Sequence, residues 1–183
     1  MKNVLVTGIM QGLGLQIAKN LLQKGYNVYG VSLKETDTLK ELECLHPKQL
    51  TNIYCDLGNI DNSIDIIFNK VIGFNIPLYG FVNNAAIAYD DIISNLQYEP
   101  LLKMYKINVF SPMMLTKYVI RNMLLHRVNG SIVHISSVSV HTGYKGLAMY
   151  ASTKGALEAF SKTTAREWGE KGIRSNALVA GFM

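Results

Sequence analysis

Short apolar runs rich in Val, Ile and Leu recur along this 183-residue chain, separated by longer stretches whose apolar positions repeat every three to four residues. The short runs predict strands over Asn3–Thr7, Asn27–Ser32, Leu50–Cys55, Leu78–Asn83, Ser131–Ser136 and Arg174–Val179. Runs such as Val4-Leu5-Val6 and Ile132-Val133-His134-Ile135 leave no polar face, as expected of parallel strands buried on both sides. The intervening stretches predict helices over Gly12–Lys24, Thr36–Leu45, Ile60–Ile72, Tyr98–Tyr105, Ser111–Arg127 and Tyr150–Lys171. Strand and helix alternating in this way imply an α/β domain, a parallel sheet with crossover helices on both faces. Pro112–Leu125 stands apart: Met113, Met114, Leu115, Tyr118, Val119, Ile120, Met123, Leu124 and Leu125 occupy more than one helical face. One apolar stripe is enough to cover a sheet, so a second surface is expected to bury the other side. A second subunit is the first candidate and a downstream helix of the same chain the other.

Composition bounds the class. With 49% hydrophobic and 17% charged residues, 15 Gly and 4 Pro, the chain suits one globular domain over residues 1–183 and excludes disorder, a collagen-like repeat and a disulfide scaffold. Cys44 and Cys55 form no Cys-x-x-Cys pair, so no metal site is expected and a reducing, cytoplasmic setting fits. The first apolar run is too short for a signal peptide, and no stretch approaches the ~20 apolar residues that span a bilayer. A soluble protein is expected. Residues 1–102 carry 7 Lys and Arg against 10 Asp and Glu, whereas residues 103–183 carry 11 against 3. The later bases are dispersed, as on solvated helix faces; an anionic ligand or an acidic protein is the sharper alternative. No recognition motif accompanies them, so nucleic acid is not an expected partner.

Candidate chemistry begins after the first strand, at Thr7-Gly8-Ile9-Met10-Gln11-Gly12-Leu13-Gly14. Three glycines at this spacing permit a tight turn, a close approach of backbone to a pyrophosphate and close packing of helix on strand, and the helix N-terminus offers unpaired N–H groups to phosphate. The place of the motif, between the first strand and the first helix, is the context it requires. Tyr150 and Lys154 lie four apart at the start of a helical stretch and so on one helix face. An ammonium beside a phenol favours phenolate and is expected to lower its pKa, which makes an acid/base pair; an ordinary surface pair is the bland alternative. Ser137 follows the fifth strand, at the carboxyl edge where open α/β sheets bind ligands, with Ser136, Ser139 and Ser152 as rivals. Asn83-Asn84-Ala85-Ala86 follows the fourth strand, and Asn108 precedes the apolar helix. Either Asn84 or Asn108 could serve structure alone.

Taken together, Gly8, Gly12, Gly14, Asp56, Asn83-Asn84-Ala85, Asn108, Ile135-Ser136-Ser137, Tyr150 and Lys154 resemble, in order and mutual spacing, the short-chain dehydrogenase/reductase family, from Val4 to Met183. The branch of 3-oxoacyl-acyl-carrier-protein reductases is the nearest in character, although sugar, polyol and steroid reductases share these motifs. The resemblance implies a Rossmann-type doubly wound parallel sheet and an NAD(P)-dependent oxidoreductase that moves hydride between nicotinamide and a ketone or secondary alcohol, among them a 3-oxoacyl thioester. By that resemblance Tyr150 is the acid or base, Lys154 lowers its pKa and binds the nicotinamide ribose, Ser137 holds the carbonyl oxygen, and Asn108 positions Lys154 and a relay water. Gly8, Met10, Gln11, Gly12, Leu13, Gly14, Ser32, Lys34, Asp56, Leu57, Asn84, Ala85 and Gly181 complete the implied cofactor contacts. For Asp56 a helix cap is the alternative.

Ser32 stands where NAD-preferring folds place an acid, with Lys34 close behind, which favours NADP; Gln11, where a base is common among NADP users, leaves NAD open. Ala86 and Ala180 replace a usual glycine and proline, and Ala180 removes a φ restraint from the loop that nears the nicotinamide. Relative to the family, the chain is expected to lack the C-terminal substrate lid and the last strand. A homodimer or homotetramer, a small carbonyl or alcohol substrate and an acyl carrier protein docking near Arg127 and Lys171 are the implied partners. The rival function is a non-catalytic dinucleotide-binding or scaffold protein on the same fold.

Overall fold

The computed structural model describes residues 1–181; Phe182 and Met183, the end of the expected domain, lie outside the described residues. Six strands, β1 (Asn3–Thr7), β2 (Asn27–Ser32), β3 (Leu50–Tyr54), β4 (Leu78–Asn83), β5 (Ser131–Ser137) and β6 (Arg174–Ala180), form one sheet in the order β3-β2-β1-β4-β5-β6. Every pairing is parallel. Helices α1 (Gly12–Gln23), α2 (Asp37–Leu45), α3 (Ile60–Ile64), α4 (Tyr98–Tyr105), α5 (Ser111–Leu125), α6 (Ser139–Thr142) and α7 (Ala148–Trp168) fill the crossovers. The expected doubly wound α/β sheet is therefore present.

Successive residues of β1 point to opposite faces, and each face has its own core. Val4 and Val6 pack with Val28 of β2, Leu15, Ala18 and Leu22 of α1, and Leu39 and Leu42 of α2. Leu5 packs on the other side with Phe81, Ile132, and Leu115, Val119 and Met123 of α5. Leu5 has no exposed surface, so Leu5→Ala would open a cavity costing about 2–5 kcal/mol. On α5 the buried Asn122 accepts from the Leu78 N–H at 2.8 Å and donates to the Ile76 carbonyl at 3.0 Å, which fixes the entry of β4.

The boundaries differ from expectation where backbone bonding departs from simple periods. β3 stops at Tyr54, while β5 and β6 each run one residue further than expected, because Ser137 pairs with Ala180. The expected helix Ile60–Ile72 widens after Ile64 into a π-helical stretch, Asp65–Ile72. A second π-helical stretch, Lys106–Phe110, joins α4 to α5. Pro112 supplies the reason there: it has no N–H for the Asn108 carbonyl, so the regular ladder cannot pass through this point. The last helix begins at Ala148, two residues before Tyr150, and ends at Trp168, with a 3₁₀ turn over Gly169–Lys171. Burial of α5 on two sides is not found within the described residues: Leu124 and Leu125 remain exposed, Leu125 at 60%, although Tyr118 stacks on Phe68 at 5.2 Å between centroids.

Candidate active site

Strand order reverses direction at β1: β2 and β3 lie to one side, β4 to β6 to the other. The crevice of such a sheet opens at the carboxyl ends of the strands flanking that point. A cleft of about 480 Å³ lies there, and Gly8, Met10, Gln11 and Gly12 form its floor beside β1. Ser32 lines it from β2, Asp56 and Leu57 from the turn after β3, and Asn84 and Ala85 from the end of β4. Ile87, Ile107 and Cys55 also line it and carried no motif in the sequence.

The glycines explain how the cleft closes around a ligand's backbone-binding edge. Gly8 adopts φ +75°, and a Cβ there would stand 2.8 Å from the Ala85 Cα. A Cβ on Gly14 would collide with the Gly8 carbonyl oxygen and the Asn84 amide, so α1 packs directly on the turn. Gly12, at φ +57°, faces open space within 4 Å. Gln11 occupies the N-cap of α1 without a side-chain capping bond. A helix N-terminus uncapped by side chain and floored by glycine fits the pyrophosphate of a dinucleotide. Thr7 Oγ1 accepts from the backbone N–H groups of Asn84 and Ala85, both at 3.1 Å, and the Asn84 amide donates to the Thr7 and Gly8 carbonyls at 3.0 and 3.2 Å. Asn84 thus fastens β4 to β1 as well as lining the cleft.

Asp56 accepts from the Gly58 N–H at 2.8 Å, but the cap of α3 is Asn59, whose side chain accepts from the Asn62 N–H. The helix-cap reading of Asp56 therefore falls away. Ser32 donates to the Lys34 carbonyl at 3.2 Å and is buried, whereas Lys34 is exposed at the cleft margin. Of the expected cofactor contacts, Leu13, Gly14, Lys34, Tyr150, Lys154 and Gly181 lie outside the cleft lining.

The second part of the site sits on β5 and α7. The edge of Phe160 meets His134 at 5.8 Å between centroids, and Ser136 donates to Glu158 at 2.6 Å. Residues later in α7 thus lie beside residues earlier in β5. The N-terminal turn of α7, bearing Tyr150, therefore overhangs the carboxyl end of β5, where Ser137 closes the strand. Lys154 is only 2% exposed; its Nζ donates to the Ile135 carbonyl at 2.8 Å and lies 5.6 Å from the Tyr150 ring centroid. Burial lowers the Lys154 pKa to about 8.

The expected lowering of the Tyr150 pKa is not what the site produces. Burial first, and the negative charge of Asp90 second, raise it above the ordinary 10.0. Desolvation outweighs a cation that is itself buried and directed at a carbonyl. The four serines divide clearly. Ser136 is engaged by Glu158, Ser152 donates to the Met149 carbonyl and accepts from the Tyr105 hydroxyl, and Ser139 is buried beneath Ser137 and donates to it. Ser137 alone is half-buried at the strand end. Asn108, on the π-helical stretch, donates to the Ile87 carbonyl at 2.8 Å and to Thr153 Oγ1 at 3.1 Å, and accepts from the Ile87 N–H at 2.9 Å. It joins the loop after β4 to the residue preceding Lys154; no bond runs from it to Lys154 itself.

A doubly wound parallel sheet with a glycine-floored crevice and a Tyr-x-x-x-Lys helix over its carboxyl edge defines a dinucleotide-dependent class of protein. The family model for short chain dehydrogenases matches residues 2–183, and the chain belongs to that family. It is 34% identical over 181 residues to 3-oxoacyl-[acyl-carrier-protein] reductase FabG of Buchnera aphidicola (from Acyrthosiphon pisum), covering 97% of this chain and 72% of that protein. Among solved structures, a short-chain dehydrogenase from Streptomyces avermitilis superimposes with a TM-score of 0.92 at 28% identity, over 100% of this chain and 67% of that one. ElxO with NADP bound superimposes with a TM-score of 0.87 at 29% identity, over 99% of this chain and 73% of that one.

Proposed function

We propose that this protein is an NAD(P)-dependent reductase or dehydrogenase interconverting a ketone and a secondary alcohol. The observation that carries the reading is the placement of Tyr150 over the end of β5, with Lys154 anchored on the same strand and Ser137 at its tip, beside a crevice that fits a dinucleotide. A bound nicotinamide would exchange hydride with the carbonyl carbon. Tyr150, held protonated at neutral pH by its surroundings, would give its phenolic proton to the developing alkoxide. Ser137 would donate to the same oxygen, and its donation strengthens as charge accumulates there. Lys154, two per cent exposed and close to the phenol, would stabilise phenolate once the proton has left. Asn108 would hold the Lys154 helix in register through Thr153.

NADP is the preferred cofactor, supported by the exposed Lys34 and the absence of an acid at Ser32, with NAD as the alternative; ElxO offers a relative that binds NADP. A 3-oxoacyl thioester is the favoured substrate, on the likeness to the FabG reductase. A carrier protein docking at Arg127 and Lys171 would meet the amino-terminal ends of β5 and β6, opposite Ser137. It would reach this subunit's site only through an arm crossing about 20 Å. The exposed apolar side of α5 supports a homodimer or homotetramer, and no helix among the described residues is long and apolar enough to cross a membrane. The two free thiols suit a cytoplasmic location. Tyr150→Phe should abolish reduction of ethyl acetoacetate with NADPH while leaving NADPH affinity within about threefold. Retained turnover would sink the assignment. A protein that binds NADPH but turns over no carbonyl before mutation would favour the scaffold reading.

A further inference from the structure

We propose that Ser139 is a positioning residue that makes Ser137 an obligate hydrogen-bond donor on the side facing away from Ser139; the proposal rests on the reductase reading for its kinetic consequence, not for its geometry. A serine hydroxyl carries one proton and two acceptor lone pairs. Ser137 Oγ accepts from the Ser139 backbone N–H at 3.2 Å and from the Ser139 hydroxyl at 3.0 Å. Both lone pairs are thereby engaged from the protein side, and the Ser137 proton is left to point away from Ser139, toward the half-buried end of β5. Ser139 is 3% exposed, so water does not compete for its hydroxyl. A freely rotating Ser137 would spend part of its time accepting rather than donating, and would have to be reoriented as a carbonyl oxygen arrives. Fixing the rotor in advance removes that reorganisation.

The support beneath Ser139 is itself tied to the helix that bears Tyr150. Ser139 opens α6, and His141 on α6 lies 3.1 Å from Glu158 Oε2. The other oxygen of Glu158 accepts from Ser136 at 2.6 Å. Thr142 Oγ1 donates to the Val138 carbonyl at 2.9 Å, and the Val138 N–H donates to the Ala180 carbonyl of β6 at 2.9 Å. Glu158 thus joins β5, α6 and α7, and the donor at Ser137 and the acid at Tyr150 are held in one frame. Ser136 and Ser139, rivals of Ser137 in the sequence, here serve to place it.

Ser139→Ala removes one of the two donors and keeps the backbone one. The expected result is a kcat for ethyl acetoacetate about tenfold lower, the size of one neutral hydrogen bond, with NADPH affinity unchanged. Because Ser139 acts only through Ser137, Ser137→Ala with Ser139→Ala should be no slower than Ser137→Ala alone. Independent, multiplying losses, or an unchanged kcat in Ser139→Ala, would overturn the proposal. Neutron diffraction on the perdeuterated protein tests the geometry without turnover. The Ser139 deuteron should point at Ser137 Oγ and the Ser137 deuteron away from Ser139, and the reverse order would refute it. A protein inactive on carbonyls but showing these deuteron positions would overturn the reductase reading alone.

Discussion

Replacing Lys154 by methionine should stabilise the cofactor-free protein at neutral pH while removing its proposed chemistry. The ammonium is 2% exposed, and burial lowers its pKa from 10.5 to about 8. The unfolded chain keeps the ordinary value, so between about pH 8 and 10.5 it binds more proton than the folded one, and stability rises with pH across that window. Below pH 8 the full cost of burying the cation is present, about 3 kcal/mol at about 1.4 kcal/mol per pKa unit. Methionine has a similar straight stem and no charge, so it removes this cost. It also leaves the Ile135 carbonyl without its 2.8 Å donor, a loss of about 1–3 kcal/mol. The net gain at pH 7 is about 1 kcal/mol, or about 2–4 °C in Tm. The sharper signature is the pH dependence. Urea unfolding of both proteins from pH 7 to 10.5 should show the parent gaining about 3 kcal/mol on the variant. The Cys55 thiol, pushed up to about 11 by burial and then by Asp56, lowers stability above pH 9 in both and cancels in the difference. Parallel curves would refute the reasoning.

His134, whose pKa burial and then the Lys154 charge lower to about 4, contributes stability that is present above pH 6.5 and lost as pH falls toward 4, about 3 kcal/mol in all. His134→Asn should flatten this acid limb in guanidinium melts, whatever its effect at pH 7, and an unchanged limb would count against it. Gly14→Ala drives a Cβ into the Gly8 carbonyl and should cost about 1–3 kcal/mol and more than tenfold in NADPH affinity. Gly12→Ala, with open space around it, should lose only about 1–2 kcal/mol through its positive φ, and equal stability losses for the two would contradict the packing account. Arg127→Glu combined with Lys171→Glu should slow turnover of a carrier-bound 3-oxoacyl thioester and spare a small free one; equal loss on both would argue against docking there.

The strands were legible because each is an uninterrupted apolar run bounded by turn residues, and parallel burial on both faces leaves that mark in Val4-Leu5-Val6 as in Ile132-Val133-His134-Ile135. The glycine turn was legible for a steric reason that survives in three dimensions, since Gly8 and Gly14 sit where a Cβ has no room. What the sequence does not display is local or long-range in origin. α6 spans four residues and cannot express a helical period. The π-helical stretch at Asn108 arises from the missing N–H of Pro112, which shifts bonding without altering the apolar pattern. The direction of the Tyr150 shift depends on how deeply Lys154 is buried and on Asp90, sixty positions away in sequence. Residues four apart reveal a shared face, not the dielectric of the surroundings.

The two parts of the site answer to different demands. The binding part is built from backbone, at Gly8, Gly14 and the Thr7–Asn84 bonds, and tolerates little side-chain volume. The acid/base part is built from buried polar side chains that would be unfavourable if unpartnered. Each therefore has a partner: Lys154 at Ile135, Ser136 at Glu158, Ser137 at Ser139. Three consecutive residues at the end of β5 are fixed by side chains from two helices, α6 and α7, and two of those bonds come from α7, from side chains one turn apart. A shift of α7 along β5 would break both together. That coupling makes the register of α7 on β5 the quantity that holds Tyr150 over Ser137, and it explains why an otherwise costly cluster of buried polar groups sits where the sheet ends.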